Sequence, residues 1–229
     1  MNGLAAAVAL CLLSSAANAG SFEDGIGALD RGDTTAAAAA FNEAANAGSP
    51  EAMVELGRMF LEGKGGPENR STAADWFRKA AEQGSPKGQF LLGILLYEGI
   101  EGDGSATVAA MWFARAAAAG DAQAAYNLGV LYDEGTEVPK DVTKAISLYR
   151  QAAAGGVLEA EHTLGSMLAF GRDVPRDVVE GGVWLESAAA AGDSDVNEEL
   201  QTLRNSLSEA DRQAIDQRLE VHRRKSPTY

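Results

Sequence analysis

Four Leu–Gly pairs, Leu56-Gly57, Leu92-Gly93, Leu128-Gly129 and Leu164-Gly165, stand 36 residues apart with no insertion between them. The same step carries Gly63 through Gly99 and Gly135 to Gly171, and Ala80 through Ala116 and Ala152 to Ala188. It also carries Trp76 to Trp112 and Trp184, with Leu148 in the third turn. A register of this kind restricts the chain to a stacked array, because each unit must bury its apolar face against its neighbours. Such arrays work by offering an extended surface more often than a catalytic pocket.

Each unit divides into two helices. The first opens at a capping residue, Ser49, Ser85 or Asp121, with Pro50 and Pro86 in the first turn, where a missing N–H is tolerated. Ala52, Leu56, Met59 and Phe60 follow at helical spacing, and the Gly63 column supplies a left-handed stop. Asn69, Ser105, Asp141 and Asp177 form one column and predict where the second helix starts in every unit. That helix runs through the Trp and Ala columns to the turn glycines Gly84, Gly120, Gly156 and Gly192. A glycine in a helix interior costs about 1 kcal/mol relative to Ala. Four in register predict a neighbouring helix that passes too close for a side chain, with the Ala80 column as the matching small surface. The Trp column is expected in the core.

The predicted organisation is an export signal over residues 1–19, a capping hairpin over 20–45, repeats at 46–81, 82–117, 118–153 and 154–189, and capping helices over 190–229. The signal rests on the apolar run Leu4 to Leu13, followed by Ala17-Asn18-Ala19 as a small-x-small cleavage site. No Lys or Arg lies near Met1, which departs from signal anatomy. Ten apolar residues are too few to span a bilayer, so a periplasmic or secreted chain without stable membrane insertion is expected. Removal of Cys11 with the signal leaves no cysteine, and packing alone must hold the fold. Phe41 and Ala44 lie one period before Phe77 and Ala80, which puts the second helix of the first cap in register and its first helix out of it. Asp193 is expected to open another first helix through Leu200. Ser208-x-x-Asp211 resembles a capping box for a last helix, to about Arg224, that closes the apolar end.

The run Ala124-x-Tyr126-Asn127-Leu128-Gly129-Val130-Leu131-Tyr132-x-Glu134-Gly135, then Val138-Pro139-Lys140-Asp141-Val142-x-Lys144-Ala145 and Tyr149-Arg150-x-Ala152-Ala153, closely resembles the Sel1-like repeat. The resemblance covers residues 46–189 and implies an all-α fold, an α/α superhelical solenoid of hairpins related to tetratricopeptide repeats. It also implies a scaffold for protein–protein contacts, often in bacterial envelope regulation or assembly. Some exported members are cysteine-rich and are linked to β-lactam binding or hydrolysis. This chain lacks those cysteines, so an envelope protein that binds or hydrolyses cell-wall peptides or β-lactams is the second reading. In the second unit the usual Val-Pro-x-Asp turn is replaced by Asp103-Gly104-Ser105, which predicts a looser loop.

Candidate chemistry is sparse. The two histidines, His162 and His222, form no ligand pair, and His162 shares a column with Val54, Phe90 and Tyr126, which favours a packing role. Glu62, Glu98 and Glu134 recur one unit apart and read as solvated helix ends, not paired catalytic carboxylates. Gly63-Lys64-Gly65-Gly66-Pro67 fails as a phosphate loop, since Gly follows the Lys and no strand precedes it. No catalytic, metal or cofactor-binding residue is assigned, and no cofactor is expected. The net charge of −14 disfavours nucleic acid and anionic membrane surfaces. It fits a solvated acidic surface first and a basic partner second.

One variable face remains on the first helices. It reads Glu51, Glu55, Arg58 and Glu62, then Lys87, Leu91, Ile94 and Glu98, then Gln123, Asn127, Val130 and Glu134, then Glu159, Thr163, Ser166 and Phe170. Leu91, Ile94 and Val130 between charged flanks suit a groove with an apolar centre and a polar rim. The rival reading packs them against adjacent first helices. The candidate partner-binding residues are Glu55, Arg58, Lys87, Leu91, Ile94, Glu98, Asn127, Val130 and Glu134. A monomer that takes a protein partner along the concave side is the expectation.

Overall fold

A computed structural model describes residues 20–100 and 104–225. The export signal and Cys11 lie outside the described residues. Among those described, helices alternate with turns and no strand occurs. Two compact units divide at Ala119 and Gly120. The first holds α1 (20–30), α2 (Thr34–Asn46), α3 (Pro50–Glu62), α4 (Arg70–Glu82), α5 (Pro86–Glu98) and α6 (Ala106–Ala118). The second holds α7 (Ala122–Glu134), α8 (Val142–Ala154), α9 (Leu158–Phe170), α10 (Val178–Ala190), α11 (Val196–Ser206) and α12 (Glu209–Lys225). From α2 to α6 in the first unit and from α7 to α11 in the second, each helix packs on the next in sequence, the construction of an α solenoid, while α12 packs on α10.

The caps act where the repeat places them. Ser49, Ser85 and Asp121 accept from the N–H of Ala52, Gly88 and Ala124, and Asn69, Ser105, Asp141 and Asp177 do the same for α4, α6, α8 and α10. Each second-helix cap is also tied back across the loop. Asn69 N–H donates to Phe60 O at 2.8 Å, and Asp141 and Asp177 repeat the bond on Tyr132 and Leu168. The stop at Gly63, φ 64° and ψ 23°, is left-handed, as at Gly135 and Gly171. Gly99, in the loop predicted to be loose, instead takes φ 83° and ψ 129°, yet Ser105 N–H still reaches Leu96 O at 2.9 Å.

The core differs from expectation in two ways. The Trp column is half-buried, with Trp76 and Trp112 packed against the edge of the core, while the next column, Phe41, Phe77, Phe113, Tyr149 and Leu185, is sealed at 0 to 1% exposure. An indole one position off the hairpin axis reaches the surface, where Lys79 Nζ sits 3.8 Å from the Trp76 ring and the Arg115 guanidinium 4.7 Å from that of Trp112. The helix glycines face that sealed column, not the Ala column. A Cβ at Gly57 would fall 2.4 Å from the Phe77 ring, and Gly93 and Gly129 stand in the same relation to Phe113 and Tyr149. The Ala column works between hairpins instead, where a Cβ at Gly88 on α5 would meet Ala80 Cβ at 2.7 Å.

The ends follow the same rule with local shifts. In the first cap Gly25, not the in-register residue 21, receives the Phe41 ring. The loop before α2 is four residues shorter than the corresponding loop before α4, so the glycine moves by about one helical turn and keeps its face. At the far end α11 starts at Val196, two residues later than expected, and Asp193 accepts from Asp195 N–H in a turn before it. Ser208 and Asp211 exchange reciprocal bonds as a capping box for α12. α12 then lays Ile215 and Leu219 on Val183 of α10 and covers the apolar end of the second unit.

Candidate functional site

In the first unit α3 and α5 touch, and the variable face lies along them. Arg58 is exposed between Glu55 (3.8 Å) and Glu62 (4.0 Å) on its own helix. Glu98 accepts from Arg70 Nη2 at 2.7 Å, a bond from the start of α4 to the end of α5. Lys87 Nζ stands 4.9 Å from the Phe90 ring. Between these charges Leu91 is half-buried and packs on the core, so the packing reading holds for part of its surface. Ile94, one turn on, is half-buried.

In the second unit Asn127 Nδ2 donates to Gln123 O at 2.8 Å, Val130 is half-buried and Glu134 is exposed. The face then changes character. Thr163 and Ser166 occupy the columns of Leu91 and Ile94, and with Asp133, His162, Met167, Arg172, Asp173 and Glu199 they line a cavity of about 280 Å³. His162 Nδ1 lies 3.0 Å from Asp193 Oδ2, while its Nε2 lies 3.6 Å from Glu199 Oε2, too far for a hydrogen bond. Arg172 Nη2 donates to Glu199 Oε1 at 2.9 Å. Lys140 Nζ donates to Asp173 Oδ2 at 2.7 Å, and this bond holds the ammonium above its ordinary pKa. On the inner side, burial pushes the Tyr149 hydroxyl well above the usual phenol range, assisted by Asp133.

Two buried atoms at this cavity have no hydrogen-bond partner: Ser166 Oγ and Glu199 Oε2. A buried polar atom left unpaired costs about 1–3 kcal/mol. Ser166 is only 4% exposed, on a helix whose other repeats place Arg58, Ile94 and Val130 in that column. Asp193 and His162 could orient a base, but Ser166 Oγ makes no bond to the ring, so no activated nucleophile is assembled. Among the described residues no group of three or more His, Cys, Asp or Glu is placed to hold a metal ion.

Sequence reasoning placed Thr163 and Ser166 on the right face but did not select them. The available signal was the change from apolar to hydroxyl side chains in two columns. Asp193 stands in the cap column and reads there only as a cap, Glu199 comes from beyond the four repeats, and Asp133 shares a column with Leu61 and Ala169, so the periodic argument does not bring them together.

The Sel1 repeat model matches residues 50–85, 86–121, 122–157 and 158–193. Among solved structures, a Sel1 repeat protein from Oxalobacter formigenes is 29% identical, with a TM-score of 0.73, over 93% of this chain and 88% of that one. The protective antigen c5321, present in uropathogenic Escherichia coli strains and displaying an SLR fold, is 27% identical with a TM-score of 0.53. It matches over 83% of this chain, which spans 49% of the antigen. A Sel1 repeat protein from Klebsiella pneumoniae, 21% identical with a TM-score of 0.51 over 84% of this chain and 96% of that one, shows the fold alone. No match is found among curated proteins.

Proposed function

The chain belongs to the Sel1 repeat family, and on that premise we propose that it is a non-enzymatic exported scaffold that takes a partner segment along its first helices, in envelope regulation or assembly. Sel1 repeats generally mediate protein–protein interaction, and family members are typically non-catalytic. The observation that carries the finer reading is made in each unit separately: Ile94 in the first and Val130 in the second are apolar, half-buried and in the same repeat column. Export rests on the leader-like residues 1–19. Among the described residues no helix is long and apolar enough to cross a membrane.

Partner capture from envelope extracts, read by mass spectrometry, tests this. Ile94→Asp with Val130→Asp should abolish capture while helicity and melting stay unchanged, because both side chains are only half-buried. Leu91 is better truncated separately, since it also packs on the core. Capture that survives the double variant sinks the groove assignment.

A further inference from the structure

We propose that the cavity on the first-helix face of the fourth repeat receives a lysine side chain of the bound partner. The proposal rests on the interaction reading above and adds the chemistry that a partner must bring. The His162 ring, with Nδ1 3.0 Å from Asp193 Oδ2, borders the space and leaves Glu199 Oε2 beyond hydrogen-bond reach at 3.6 Å. Glu199 Oε2 and Ser166 Oγ, both buried without a hydrogen-bond partner, belong to the same wall. These two oxygens have no donor in the structure, and an N–H group would supply it.

Charge points the same way. Lys140 neutralises Asp173, and Arg172 is engaged with Glu199, which leaves Asp133 as a carboxylate in excess among the lining residues. A guanidinium prefers a bidentate carboxylate, but Glu199 Oε1 is already taken by Arg172 and Asp133 is hydrogen-bonded to the Tyr149 hydroxyl. An ammonium needs only three converging acceptors and suits the site better. Met167 and Thr163 supply apolar surface for its methylene stem. At about 280 Å³ the space is far more than one structural water would need. A basic partner also matches the chain's net charge of −14.

Titration of the full chain with Nα-acetyl-lysine methylamide, followed by NMR at Thr163, Ser166 and the Met167 methyl, is the test. Saturable shifts are expected at these three residues, and none from the Nε-acetylated probe, which lacks the charge. Ser166→Ala and Glu199→Gln should each weaken half-saturation by about ten-fold. Ser166→Ala should leave the melting temperature unchanged or raised, because it removes a hydroxyl with no partner to lose. Absence of shifts overturns the proposal, as do equal shifts from the acetylated probe or from acetate, or half-saturation indifferent to both variants. The free probe needs no partner. Its failure beside intact partner capture therefore removes the pocket alone, whereas probe binding without capture removes the groove reading and spares the pocket.

Discussion

In the hairpins α3–α4, α5–α6 and α7–α8 a ring of the second helix fills the space left by a glycine on the first, whereas α9–α10 does without the ring. There Leu185 takes its place, and a Cβ at Gly165 would meet Leu185 N at 2.9 Å and Gly181 O at 3.1 Å. A Cβ at Gly181 would fall 2.3 Å from Ala169 N. One glycine column thus serves two purposes: a socket for an aromatic ring in three repeats and a close backbone approach in the fourth. The change reaches the surface. Phe90 and Tyr126 stack near Phe113 and Tyr149, with centroids 6.1 and 5.7 Å apart. Their counterpart His162 has no ring to meet and lies instead between Asp193 and Glu199, beside the polar cavity.

The largest effect should come from emptying a socket. Phe77→Ala is expected to cost about 3–5 kcal/mol in urea unfolding, because the ring is fully buried. Trp76→Ala, one residue away but half-buried, should cost clearly less, and equal losses would return the Trp column to the core. Next come the glycines. Gly129→Ala should cost about 1–3 kcal/mol alone and almost nothing more in a Tyr149→Ala background, since the obstructing atoms are that ring. Gly165→Ala should keep its cost when Leu185 is also truncated, because the main chain remains in the way. A cycle with the same coupling in both hairpins would erase the distinction drawn between them.

The smallest effect is electrostatic. Asp141 caps α8, and the Lys144 N–H that it accepts holds its carboxyl below the usual carboxylate range. Its stabilising contribution is therefore present above the unfolded carboxylate pKa and lost as pH falls through the lowered folded value. Asp141→Asn keeps a capping side chain and should flatten that part of the acid-stability curve without changing the neutral end.

Much of the fold was legible because a repeat reports the same fact several times. The caps at Ser49, Asn69 and their equivalents, the stop at Gly63 and the Ser208–Asp211 box are local: a short polar side chain bonds an amide two or three residues on, and spacing alone identifies it. The glycine column was legible as a crowded place, but its neighbour was misread. An aromatic at position 77 and another at 76 look alike in a pattern, and only the hairpin's crossing angle decides which points inward. The cavity was least legible, since Asp133, His162, Ser166 and Glu199 come from three helices with no common period.

By itself the sequence determined the all-helical repeat, its 36-residue period, where helices begin and stop, and which face is left variable. These follow from interactions within a few residues or from one period to the next. Tertiary structure alone decided that Phe77 and not Trp76 is sealed, that Gly165 and Gly181 answer to backbone, and that Ser166 Oγ and Glu199 Oε2 share one wall without hydrogen-bond partners. Each of those depends on how closely two helices approach, and that distance is set by the side chains of both.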